Sequence, residues 1–164
     1  MKKKEDISVV LNELLKVNND RIEIYRRAIK EINEHDLKLV FESAIEESKK
    51  IEAVLTLEIF KRNSVPDVDG TTRAGELYRF WLGVREFFNG KDYNSIVKGC
   101  KFVEYSVQKT YRKALQHEGL SLELSKILKE QTVALRKWYW GLGTYRVIKT
   151  LGSFCRINGT MAKA

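Results

Sequence analysis

Proline and cysteine are almost missing from this chain of 164 residues. Pro66 is its only proline, so nearly the whole length lacks the one residue that blocks a helix interior. Two cysteines, Cys100 and Cys155, are too few for a disulfide framework. A reduced, cytoplasmic location is the expectation that follows. No run of about 18 apolar residues occurs, so no membrane span is expected. Met1-Lys2-Lys3-Lys4-Glu5-Asp6 is not followed by an apolar stretch with a cleavage site and does not read as a secretory signal.

Acids are missing from the end of the chain. Glu130 is the last one, and Arg136, Lys137, Arg146, Lys149, Arg156 and Lys163 follow it. Those six cations supply most of the net charge of +8. A basic end of this kind attracts nucleic acid or another anionic surface. Several catalytic signatures are also missing. Gly141-Leu142-Gly143 has neither a third glycine nor a strand before it, so it is no phosphate-cradling loop. There is no Cys-x-x-Cys zinc pattern and no Gly-x-Ser-x-Gly elbow.

What is present is heptad spacing, with apolar steps of three and four that mark helices packed side by side. A first segment, about Ser8 to Asn33, carries the seam Leu11, Leu15, Asn18, Ile22, Tyr25, Ile29, Ile32. A second, about Asp36 to Lys61, carries Leu37, Phe41, Ala44, Ser48, Ile51, Leu55. A third, about Asp92 to Gln116, carries Val97, Cys100, Glu104, Val107, Tyr111, Ala114. The fourth, about Ser121 to Arg146, carries Leu124, Leu128, Gln131, Leu135, Trp138, Leu142, Tyr145. Asp36 is placed as an N-cap after a tight turn, while Gly119 stops the third helix and Ser121 caps the fourth. Such short turns make each flanking pair antiparallel.

The middle connection, about residues 63–91, reads as loop around Pro66 and Gly70. A short amphipathic helix follows, marked by Leu77, Phe80, Trp81, Val84, Phe87 and Phe88. The expected architecture is an all-α four-helix bundle over residues 1–146, with a crossover between helices two and three. Residues 147–164 form a basic C-terminal extension, partly helical or frayed.

The chain resembles small bacterial four-helix-bundle proteins of the family called domain of unknown function 2383. The resemblance rests on Leu11-Asn12-Glu13-Leu14, Asp20 and Tyr25, on Leu37 to Phe41, and on Gly75, Trp81 and Asn89-Gly90-Lys91-Asp92. It continues through Glu104, Tyr111-Arg112-Lys113-Ala114-Leu115 and Gln131, and so covers about Ile7 to Arg146. It implies a ferritin-like bundle with a long second crossover and no settled activity. Relatives carry acids around Glu104, where this chain has Gly99 and Lys101. They often carry His-Asp late in helix four, where it has Tyr139 and Trp140. Both departures remove metal ligands.

Each seam holds one polar residue near mid-helix: Asn18, Ser48, Glu104 and Gln131. These are expected to share a polar layer that fixes register or, as alternatives, to form a metal or small-ligand site or leave Glu104 at the bundle's edge. A dinuclear carboxylate centre takes Glu from two helices and Glu-x-x-His from two more. His35 has Ile32 three residues before it and His117 has Ala114, so neither completes that motif. No metal is expected; if one binds, its ligands would be Glu104, Asp20, Glu23 and Glu47, holding iron or another divalent ion. Cys100 reads as core, and Cys155 as a thiol in the tail. Trp138, Tyr139, Trp140 and Tyr145 are interleaved with basic residues. Arg136, Lys137, Trp140, Arg146, Lys149 and Arg156 are the candidate basic and aromatic surface. The expected function is a non-catalytic ferritin-like bundle acting by protein interaction or as a scaffold, as a homo-oligomer or with an unknown protein partner. The alternatives are a metal-binding protein with an atypical carboxylate site and nucleic-acid binding through the C-terminal end.

Overall fold

The computed structural model describes residues 6–71, 74–89 and 93–137. They form a helical bundle of α1 (Ile7–Glu31), α2 (His35–Phe60), α3 (Ala74–Asn89), α4 (Tyr93–Leu115) and α5 (residues 122–137), with no strand among the described residues. α1, α2 and α4 match the first three seams to within a few residues, and α3 falls on the crossover segment; α5 begins where the fourth seam does, and the expected end of that seam at Arg146 lies outside the described residues. The expected division at residue 146 and the C-terminal extension lie outside the described residues.

The helix ends correct three expectations. Asp6 caps α1, its carboxylate accepting from the Ser8 amide at 2.9 Å, so the helix begins one residue earlier than the periodicity suggested. Asp36 does not cap α2. Glu34 takes that place without a side-chain bond, and Asp36 sits in the first turn, where its charge favours the helix dipole. Gly119 does not stop α4, which has already ended at Leu115; Gly119 lies in the following turn and donates its amide to His117 Nδ1. Ser121 does cap α5, accepting from the Leu124 amide at 3.1 Å.

Two apolar clusters fill the bundle. One joins the C-terminal half of α1 (Ile22 to Ile32), the start of α2 (Leu37 to Ile45) and the start of α4 (Ile96 to Val103). The other joins the start of α1 (Val10 to Val17), the end of α2 (Ile51 to Ile59), the end of α4 (Val107 to Ala114) and Leu124, Leu128 and Leu135 of α5. This pairing of starts with ends makes α1 antiparallel to both α2 and α4. Seam residues make up most of the second cluster and, together with the marked residues of the crossover helix, most of the first, which is why period located them.

The crossover divides its work between loop and helix. Residues 64–71 run along the first half of α1. Asn12 Nδ2 donates to the Val65 carbonyl at 3.3 Å, and its Oδ1 accepts from the Asp67 amide at 2.9 Å. Asn19 Nδ2 donates to the carbonyls of Val68 and Gly70, both at 2.9 Å. Asn63, with a φ of 54°, turns the chain out of α2 through the left-handed region that Asn tolerates. α3 then covers the first cluster, burying Leu77, Trp81, Val84 and Phe88 at steps of four and three. Arg85 pins it to Glu31 of α1 at 3.1 Å.

Two glycines of this region respond oppositely to alanine. At Gly99, a Cβ would stand 3.0 Å from Phe87 Cβ and 3.0 Å from Phe88 Cζ. Phe87 Cβ is fixed to the backbone of α3 and cannot swing aside, so α3 must shift. At Gly83, exposed in mid-α3, a Cβ meets nothing within 4 Å. Gly83→Ala is expected to stabilise by about 0.5–1 kcal/mol. Gly99→Ala is expected to cost about 1 kcal/mol net, because the crowding outweighs the helix-propensity gain. Urea denaturation of the two variants reads both signs.

At the end of α2, Glu58 is almost wholly buried and lies where the dipole disfavours an acid. Lys61 Nζ at 2.7 Å and Arg62 Nη1 at 2.8 Å compensate. The hydrogen bond from Lys61, then that from Arg62, holds the carboxyl below the usual range despite its burial. A folded pKa below the unfolded one stabilises above the unfolded value and loses that effect as pH falls through the folded value. Stability is therefore expected to fall on acidification below about pH 5, and Glu58→Gln to lower it at pH 7 while flattening that acid slope. Chemical denaturation across the acid range measures both.

Candidate functional site

The two clusters are separated by a polar layer at mid-bundle. In α1, Asn18 and Arg21 fall between the halves, in α2 Ser48, and in α4 Glu104. Arg21 is 0% exposed and Glu104 5%. A buried charge of either sign is costly alone, and here each answers the other.

Arg21 is the centre of the layer. Its Nε donates to Glu104 Oε1 at 2.8 Å. Its Nη1 donates to the Ala44 carbonyl at 2.8 Å and to the Ser48 hydroxyl oxygen. Tyr25 donates its hydroxyl to the same Glu104 Oε1 at 2.8 Å, and the guanidinium lies 5.2 Å from the Tyr25 ring centroid. Asn18 Nδ2 donates to the Ser48 carbonyl at 2.7 Å. Three helices are thus held in register by one guanidinium and one amide.

Electrostatics keeps these groups in fixed protonation states. Burial alone would lower the Arg21 pKa, but the Glu104 charge reverses that and raises it. Tyr25 is pushed well up, first by burial and then by the Glu104 charge, so its phenol remains a donor. The Cys100 thiol, buried one turn before Glu104, is raised far above its ordinary value by burial and then by that carboxylate. It is a small core side chain and no nucleophile.

Asn18, Ser48 and Glu104 are brought together by this network. Gln131 is not part of it: its Oε1 accepts from the Tyr111 hydroxyl at 2.9 Å. Tyr111 lies seven residues past Glu104, about 10 Å along α4. Gln108 lies between them, donating to the Thr132 carbonyl at 3.4 Å. The four seam residues therefore belong to a three-helix layer and a second α4–α5 contact.

The carboxylates named as potential metal ligands are dispersed. Glu104 is taken by Arg21 and Tyr25. Glu23 pairs with Arg27 at 2.8 Å and Glu47 with Lys50 at 3.7 Å, both on half-exposed faces. Asp20 is buried at the groove between α1 and α4 that Lys16 and Arg21 also line. Among the described residues, no three His, Cys, Asp or Glu side chains converge on one point. Arg136 and Lys137 are exposed on α5. Trp140, Arg146, Lys149 and Arg156 lie outside the described residues, as do Cys155 and the aromatics from Trp138 to Tyr145.

The residue that sequence reasoning missed is Arg21. It stands beside the seam, and an arginine there ordinarily reaches solvent. Its spacing did carry a signal, since it lies three residues after Asn18 and four before Tyr25, on the same helical face.

A helical bundle whose centre is an internal ion-pair layer is the class these observations define. The chain belongs to the family described as Domain of unknown function (DUF2383), whose model matches residues 6–117. That match ends before α5, so Gln131 and the basic end lie beyond it, short of the extent to Arg146 that the resemblance suggested. No curated protein matches the chain, and no solved structure matches it. No described helix is long and apolar enough to cross a membrane.

Proposed function

We propose that this chain is a non-catalytic, ferritin-like helical-bundle protein that acts through protein interaction or as a scaffold, in the bacterial cytoplasm, as a homo-oligomer. The observation that carries the reading is the position of Arg21. A ferritin-like bundle coordinates its metals with carboxylates at mid-core. Here a guanidinium occupies that level and is paired with the Glu104 carboxylate. A cation already paired to Glu104 opposes a divalent ion at the same oxygens.

The surface supports action by contact. α2 exposes Val54, Leu57 and Phe60 at three-residue steps, each at least 40% exposed, and α5 exposes Leu122 at 93% and Val133 at 50%. Exposed apolar residues grouped on one helix face are what an interface buries. Light scattering coupled to gel filtration is expected to give the mass of a dimer or larger assembly, and Leu57→Glu with Phe60→Glu is expected to return it to monomer. A wild-type monomer that retains no partner on affinity capture contradicts the reading.

A further inference from the structure

We propose that the outward face of α4, extended by Arg136 of α5, is a binding surface for single-stranded nucleic acid, its cations holding phosphates and its exposed aromatic rings stacking bases. This goes beyond the scaffold reading, and it is independent of whether the chain assembles.

Charge is segregated within the bundle. α2 carries six acids and three lysines. α4 carries five cations and a single acid, Glu104, which is buried and paired with Arg21. Lys113 pairs with Glu13 of α1 at 3.5 Å. The other four cations, Lys98, Lys101, Lys109 and Arg112, are exposed. Their spacing puts them on one face of the helix, in a row about 21 Å long. α5 adds Arg136, which lines the same groove as Lys101, Tyr105 and Arg112. The two acids of α5 lie on its α2 side: the charge of Glu123 acts on Lys61, and Glu130 lines a groove with Ser43 and Glu47. No described acid of α4 or α5 interrupts the row, so its field attracts a polyanion.

Aromatic rings stand within the row. Tyr105 falls between Lys101 and Lys109 and is 63% exposed, and Phe102 beside it is 53% exposed. Phe102 rests against Phe80 of α3 at 5.3 Å, and the Arg112 guanidinium lies 5.6 Å from the Tyr105 ring centroid. Both rings are therefore held in place while keeping surface open to solvent. Cations alone suffice for a phosphate. A base needs a flat ring to stack on, and every base has a π-face, so rings among cations select a strand without selecting its sequence. An acidic peptide offers the charge without the bases. In a duplex the bases are already stacked on one another, which leaves the single strand as the form that uses both features.

The test is fluorescence anisotropy of the full-length protein with a labelled oligodeoxythymidine of about 20 nucleotides, at about 50 mM salt. Saturable binding is expected, weakening as salt rises with a logarithmic slope of about 0.7 per phosphate contact. Tyr105→Ala is expected to weaken it on the order of tenfold, and so is Lys109→Gln with Arg112→Gln. These side chains are exposed, so the variants keep their fold and separate lost binding from lost structure. An abasic oligomer of the same length is expected to bind on the order of tenfold more weakly, because it has nothing to stack. Lys126→Gln with Lys129→Gln removes the same charge from the α2 side of α5 and is expected to leave binding within about twofold. Equal weakening by the two charge-removing pairs, with no effect of Tyr105→Ala, would mean general attraction to a basic chain and would overturn the proposal. So would an abasic oligomer that binds as tightly, or phosphatidylglycerol vesicles that displace the strand better than unlabelled strand does, which would make the row a membrane contact. The absence of saturable binding up to about 100 μM protein would overturn it as well. None of these results bears on the oligomer or on metal content.

Discussion

Arg21→Met alone is expected to destabilise the protein by about 3–5 kcal/mol, because it strands the buried Glu104 carboxylate. Glu104→Leu alone is expected to cost a similar amount by stranding the guanidinium among the Ala44 carbonyl and the Ser48 hydroxyl. The double variant is expected to recover most of either loss, since replacing a whole buried pair with apolar groups is often neutral. The cycle measured by urea denaturation therefore yields a large coupling energy. Additive losses would mean that the two side chains are not paired in solution. The size of the single effects matters because a domain of this length has a total stability of about 5–15 kcal/mol. The layer thus contributes less net stability than its contacts suggest, and what it sets is register. A slip of one helix past another would separate Arg21 from Glu104 and place an ion opposite one of the two apolar clusters.

Phe41→Ala is expected to cost about 3–5 kcal/mol, by lost burial and the cavity left behind. Phe41 is 0% exposed and joins three helices through its ring. It packs 5.1 Å from Tyr25 of α1 and 5.7 Å, edge to face, from Phe88 of α3, which itself stacks on Trp81 at 6.2 Å. The loss should not be spread evenly. α3 packs on α4 and α1 and meets α2 through Phe88 against Phe41, so its amides are expected to gain hydrogen exchange before those of α1 and the end of α2. Uniform exchange across the bundle would mean that α3 does not depend on Phe41 for its docking.

The helices were legible because burial follows period. Leu11, Leu15, Ile22 and Tyr25 in α1 are all buried, as are Leu37, Phe41, Ala44, Ile51 and Leu55 in α2. Helix ends were less legible, since Asp36 and Gly119 have the chemistry of caps while the chain makes its turns one to four residues away. The polar layer was half legible. A polar residue on each seam marked Asn18, Ser48 and Glu104, but Arg21 lies off the seam and its burial makes sense only with a partner 83 residues later. Nothing local distinguishes such an arginine from one on a solvated face. Asn12 and Asn19 were hidden for the same reason: an asparagine on an outer face is ordinary until a loop lies across it.

If Arg21 fills the place that metal takes in a ferritin-like bundle, elemental mass spectrometry should show it. The protein should be untagged and purified without chelator. Iron, manganese and zinc are expected far below one ion per chain, with no change in Glu104→Gln. Near-stoichiometric metal that Glu104→Gln abolishes would contradict it and make the layer a metal centre.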